Sequence, residues 1–219
     1  MSRPPAVTSP SNRNGIWPAC SLTLLLTACA SNPYIPGKNP IRLPPGITYR
    51  ERLETYHVTG ADRLSIGNGI RALPIGGQRF AGRYQWRLTW RYQTSSRDAL
   101  CFMSQANVAI DATVTLPEWA APPDADLSVV AEWKRYMSAL TAHEAGHREL
   151  VLAGAKRIQR ALLDVSPQPC GSMQVAAKQA AQSLMADIQQ EDVRYDQTTR
   201  HGATQGAVWS GITPWWQSQ

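Results

Sequence analysis

The chain has 219 residues, enough for one domain of ordinary size, and its 43% hydrophobic content is that of a globular protein, which excludes a disordered one. Its formal charge of +6 comes from 22 basic and 16 acidic residues; losing Arg3 and Arg13 with an N-terminal leader leaves 20 against 16, or +4. The arginines are scattered, with no run that tracks phosphates, so nucleic acid is a poor partner.

Residues 1–28 read as an export signal: Arg3 and Arg13 supply a basic start, and Leu22, Leu24, Leu25 and Leu26 a short apolar stretch. That stretch is too brief to span a bilayer, which takes about 20 residues. Leu26-Thr27-Ala28-Cys29 resembles the bacterial lipoprotein cleavage box, which implies lipidation of Cys29 and a membrane anchor. Ala30 and Ser31 follow, with no aspartate, and the resemblance to Gram-negative lipoproteins then implies the periplasmic side of the outer membrane. The alternative is an ordinary secretory signal cut near Ala28 or Ala30. Cys101 and Cys170 remain in the mature part, and in an oxidising compartment they are expected to form one disulfide, the alternative being two buried thiols.

Residues 29–46 are rich in proline and read as an extended tether, leaving 47–219 as the folded domain. Residues from about Ile47 to Trp119 look like β-structure. Tyr84, Trp86, Trp90 and Tyr92 alternate with polar residues, which predicts a strand with an apolar core face, less readily a substrate platform. Val108, Ile110, Ala112, Val114 and Leu116 predict a second strand over Phe102–Leu116, ended by Pro117. The glycine-rich text between His57 and Arg83 suggests turns, and His57 reads as structural. From Asp124 or Asp126, as N-cap, apolar residues recur at three- and four-residue steps and predict a helix to about Leu163, stopped by Pro167 and Pro169. A second helix is expected over Ser172–Tyr195, with Val175, Leu184 and Ile188 on its apolar side, followed by an irregular tail.

The first helix carries His143-Glu144-Ala145-Gly146-His147, an H-E-x-x-H motif. Residues four apart on a helix share a face, so two imidazoles can converge on one Zn²⁺ at about 2.0–2.1 Å. Glu144 borders the same face and can act as general base toward water that the metal acidifies. Gly146 is a poor helix former at about 1 kcal/mol relative to Ala; it is either tolerated or needed for a close approach. The structural alternative is a pair of surface histidines on a charged helix.

A catalytic zinc site has three protein ligands and water. His201 is the expected third ligand, with Asp196 its rival and Glu191 or Asp192 behind them; failing ligation, Asp196 would orient an imidazole from behind. Tyr195 can donate to an oxyanion or simply pack between the helices.

Several of these stretches resemble the bacterial secreted, predicted zinc-dependent proteases grouped as domain of unknown function 922. The resemblance covers most of the mature chain and is carried by Thr89-Trp90, Cys101, Thr115-Leu116-Pro117, His143–His147 and Tyr195-Asp196-Gln197-Thr198-Thr199-Arg200-His201-Gly202. It implies a zincin-like α+β fold, with the motif helix beside a sheet and His201 at the metal.

The expectation is thus a zinc metallopeptidase, monomeric and envelope-bound, with a peptide or protein as substrate. Such enzymes commonly hold substrate along a sheet edge, though which strand is the edge is not readable. The alternatives are a non-catalytic zinc-binding envelope lipoprotein and a zinc amidase acting on cell-wall peptides.

Overall fold

A computed structural model describes residues 41–71, 74–75, 78–79 and 81–210. The export signal, Cys29, most of the tether and the end of the tail lie outside the described residues. Strand β1 (Ile47–Val58) is followed by helix α1 (Arg63–Arg71) and two two-residue strands, β2 (Pro74–Ile75) and β3 (Gln78–Arg79). Then come β4 (Arg83–Arg97), β5 (Leu100–Trp119), helix α2 (Leu127–Leu163), the short β6 (Gln168–Pro169), helix α3 (Cys170–Thr199) and a 3-10 turn at Ala203–Gln205.

The architecture is α+β, with a mixed sheet preceding the two long helices. Its order is β1-β5-β4, β5 running parallel to β1 and antiparallel to β4. Asp98 and Ala99 join β4 to β5, both left-handed (φ 50° and 63°), as a two-residue hairpin whose twist must match its strands requires. The alternation read in the sequence holds: Tyr84 and Leu88 of β4, and Ala106, Val108, Ile110, Ala112, Val114 and Leu116 of β5, are buried on the face that packs α2.

Pro117 does not end β5, which runs on to Trp119. Pairing with β4 stops at Thr115, while β1 continues alongside to Val58. From there β5 has one neighbour only, and a residue without an N–H is tolerated at such an edge.

Between His57 and Arg83 the turns expected from the glycines are in part a helix. Asp62 Oδ1 accepts from the N–H groups of Leu64 and Ser65, which starts α1, and Ile66 and Ile70, four apart, are buried. Gly67 and Gly69 mask that signal in the sequence.

Helix α2 spans 37 residues, about 55 Å at 1.5 Å per residue. Asp126 is its N-cap, accepting from Ser128 N–H at 2.7 Å. Helix α3 is longer than expected at both ends, and its inward residues are Met173, Ala177, Ala181 and Ile188; Val175 is exposed. Small alanines let α3 lie close along α2, and a stripe of alanines is a weaker hydrophobic signal than the valine beside it. The Cys101–Cys170 disulfide is present and ties the start of α3 to the start of β5. Closing a loop of 69 residues restricts the unfolded chain by about 4 kcal/mol in the chain-entropy account.

Candidate metal centre

His143, Glu144 and His147 sit in the middle of α2, and all three are buried, at 2%, 3% and 4% exposure. That burial sets aside the reading of surface histidines on a charged helix. Facing them on α3 are Asp192 and Asp196, also four residues apart. Two helices with matched spacing therefore present two imidazoles to two carboxylates.

The rear nitrogen of each imidazole is held. His147 Nδ1 lies 2.7 Å from Asp192 Oδ1, and Asp192 Oδ2 in turn accepts from the Trp86 indole N–H at 3.1 Å. His143 Nδ1 lies 3.0 Å from Gln205 Oε1. Acceptors at both Nδ1 atoms suit the tautomer with the ring proton there, in which each Nε2 would offer its lone pair to a metal ion. Both Nε2 atoms point at one place: Asp196 Oδ1, 3.2 Å from His143 and 3.1 Å from His147. One ligand atom from each of His143, His147 and Asp196 lies within 4.8 Å of the others, a group that can hold a metal ion. His201 Nδ1 approaches the same carboxylate oxygen at 3.3 Å.

Glu191, weighed as a ligand, points elsewhere and forms a two-pronged ion pair with Arg157 at 2.7 Å. Asp192 stands behind His147 and not beside Nε2, so it acts on the ring's orientation. His57 is exposed on β1, 3.8 Å from Glu118, and is not among the residues of this cluster.

The segment Tyr195–Gly202 folds as it does because the helix ends in a run of left-handed residues. Arg200 (φ 50°), His201 (φ 52°) and Gly202 (φ 82°) turn the chain back toward α2. His201 N–H donates to Asp196 O at 2.9 Å, and Thr199 Oγ1 donates to Tyr195 O at 2.7 Å, securing the last turn. A non-glycine residue at positive φ is uncommon and is found where surrounding contacts enforce it. The turn then delivers Gln205 to His143.

Tyr195 stacks on His143, ring centroids 5.1 Å apart, and meets His147 edge-on. Its hydroxyl reaches His143 O at 3.3 Å and accepts from Gln205 Nε2 at 3.0 Å. A Cβ on residue 146 would lie 2.0 Å from that hydroxyl, so Gly146 is what admits the ring. The ring thus lies between α2 and α3, beside both imidazoles.

Glu144 has no hydrogen-bond partner among the described residues. Burial pushes its pKa up to about 8; His147 opposes that shift, while Asp196 and Asp192 add to it. Gly82, just before β4, lies over its carboxylate, and a Cβ there would sit 2.4 Å from Oε1. Burial pulls His147 down, but hydrogen bonds to Asp192 and Asp196 outweigh it and raise it to about 9. Burial likewise pushes Asp196 up, yet the three imidazoles hold it well below the usual carboxylate range.

The sequence reading passed over Gln205, Gly82 and the polar role of Trp86. Gln205 lies in an irregular turn and carries no periodic signal. The Asp192/Asp196 pair could have been found, because it repeats the spacing of His143/His147 on the next helix.

The fold and this cluster define an α+β protein with a buried His-His-Asp centre fit to bind a metal ion. Residues 53–202 match the family described as bacterial protein of unknown function (DUF922), and the chain belongs to that family. No curated protein and no solved structure matches it.

Proposed function

We propose that this chain is a zinc-dependent metallopeptidase of the bacterial envelope, cleaving amide bonds with Glu144 as general base. The observation that carries the reading is the convergence of His143 Nε2 and His147 Nε2 beside an unpartnered, buried Glu144 on one helix. A nitrogen and oxygen donor set of this kind suits zinc. His143 and His147 would hold the ion, with Asp196 or His201 completing the protein's share. Bound there, zinc supplies Lewis acidity toward a scissile carbonyl and toward water. The charge of a bound cation would favour the carboxylate form of Glu144, in which it takes the proton of the attacking water and returns it to the leaving amine. The sheet edge beside the centre is β4; Gly82 just before it borders Glu144, its Trp86 bonds Asp192, and an extended peptide can pair along it. Leu26–Cys29 and the disulfide support the envelope location.

A second reading, a non-catalytic zinc lipoprotein, is favoured by one feature: Asp196 and His201 both stand at the centre. If both ligate along with His143 and His147, the site has four protein donors and is closed. A cell-wall peptide amidase would use the same chemistry as the peptidase.

Glu144→Gln separates these readings. It is expected to keep the metal, measured by mass spectrometry of the bound element, and to lose about 10²–10⁴-fold in cleavage of a peptide library. Unchanged turnover, or none in the wild type, rejects the peptidase. Metal content of Asp196→Ala and His201→Ala identifies the third ligand: the variant that empties is the ligand, and two emptied variants indicate the closed site.

A further inference from the structure

The arginines that are scattered in the sequence are gathered by the sheet. On the face turned away from α2, the cross-strand rows align Arg87 with Asp111 and Arg50, and Gln85 with Thr113 and Arg52. Arg83 and Arg91 stand on the same face of β4, four residues to either side of Arg87. Five arginines thus share one face with two acids, Asp111 and Glu54. Arg50 and Arg52 pair loosely with those acids, at 3.9 and 3.6 Å, and their side chains remain 86% and 74% exposed. Arg83, Arg87 and Arg91 have no ion pair among the described residues. They form a line about 26 Å long at 3.3 Å per residue.

We propose that this arginine face docks the domain on an anionic phospholipid surface. Charge complementarity selects the partner class: an anionic leaflet attracts basic residues held within about a Debye length, 8–10 Å, of it. The face is a sheet surface rather than a groove, and small neutral side chains (Thr48, Thr89, Ala109, Thr113) separate the arginines. It offers no aromatic ring between these arginines on which a nucleobase could stack. Arg83–Arg91 would repel their copies, which disfavours a second copy of this chain as occupant. Docking by this face leaves the α2–α3 side, with His143 and His147, turned away from the surface.

The test is co-sedimentation of the full chain carrying Cys29→Ser, which removes the acylation site, with vesicles of phosphatidylcholine alone or mixed with phosphatidylglycerol. Wild-type protein should prefer the anionic vesicles and lose the preference at high salt. Arg83→Glu/Arg87→Glu/Arg91→Glu should lower partitioning at least about tenfold, since each basic residue near such a surface contributes roughly fivefold. A matched reversal on the helices, Lys156→Glu/Arg160→Glu/Lys178→Glu, should retain the preference. Should the triple variant fail to fold by circular dichroism, Arg87→Gln alone should still weaken binding about two- to fivefold. Equal binding to neutral vesicles, equal loss in the helix control, or tighter binding to single-stranded nucleic acid or a soluble anionic polysaccharide overturns the proposal. No arm depends on hydrolysis, so the fate of the peptidase reading leaves this one standing.

Discussion

The two long helices serve the centre by different means. Helix α2 places His143, Glu144 and His147 by period alone, in the interior of a 37-residue helix whose ends lie far from them. Helix α3 contributes two carboxylates by period and then stops, and the rest of its share comes from the left-handed turn at Arg200–Gly202 that follows. Side chains in a helix interior inherit its rigidity. Those beyond its end depend on specific bonds, here His201 N–H to Asp196 O and Thr199 Oγ1 to Tyr195 O. The centre therefore has one preorganised side and one that must be assembled.

Asp192 and Gln205 test that difference directly, because each holds the Nδ1 of one imidazole, Asp192 from helix and Gln205 from turn. Losing the partner behind a metal-bound histidine costs about 10–100-fold in metal affinity. Asp192→Asn should fall near the upper end, because it removes a charge-assisted bond as well as the orientation. Gln205→Ala should fall nearer the lower end, since Tyr195 still stacks on His143. Competition with a chromogenic chelator measures both. A larger loss for Gln205→Ala would mean that the turn, not the helix, is the rigid side.

Legibility in the sequence divided along the same line. His143 and His147 announced themselves because a fixed spacing on a regular helix is a physical constraint readable in one dimension. The alternating strands β4 and β5 were readable for the same reason, and the helix cap was narrowed to Asp124 or Asp126, of which Asp126 is the one used. Asp196 and His201 were both visible as candidates, His201 expected ahead of Asp196, but both converge on one point and spacing says nothing about which atom gets there. Gln205 was illegible, as its position follows from three consecutive left-handed residues of which only Gly202 carries a sequence signal. The arginine face was hidden for another reason: cross-strand register joins residues some forty apart in the chain, such as Arg50 and Arg87, and no run or period marks them.

Glu144 sharpens the contrast, because α2 holds it in place and nothing from α3 bonds to it. Its pKa, ordinarily 4.5, stands at about 8 in the fold because burial disfavours the charge. Between those values the unfolded chain has released the proton and the folded chain has not. Stability of the metal-free protein is therefore drained as pH rises from about 4.5 to 8, and the loss is complete above that window. Glu144→Gln carries no such charge. Denaturant unfolding in chelator should find it more stable than wild type by on the order of 1–2 kcal/mol at pH 8.5, with the gain gone near pH 4.5. His147 titrates in both proteins and so largely cancels. A pH-independent difference would mean that the carboxylate finds water or a counter-charge and is not held out for chemistry.

The smallest effect concerns a second left-handed pair, far from the centre. Asp98 and Ala99 adopt φ of 50° and 63° at the β4–β5 hairpin, much as Arg200 and His201 adopt 50° and 52° at the exit of α3. Alanine in this region carries a steric cost that glycine does not, because Cβ crowds the following carbonyl. Ala99→Gly should raise unfolding stability by about 0.4–1 kcal/mol, the relief being partly offset by glycine's greater freedom when unfolded. Metal affinity should not change. His201→Gly would relieve the same strain at its own position, but it removes an imidazole 3.3 Å from the carboxylate on which the centre converges. A stabilised hairpin variant with unaltered metal binding, set against a His201→Gly protein that folds and binds metal poorly, would show that the strain at Ala99 is incidental and that at His201 is kept for the site.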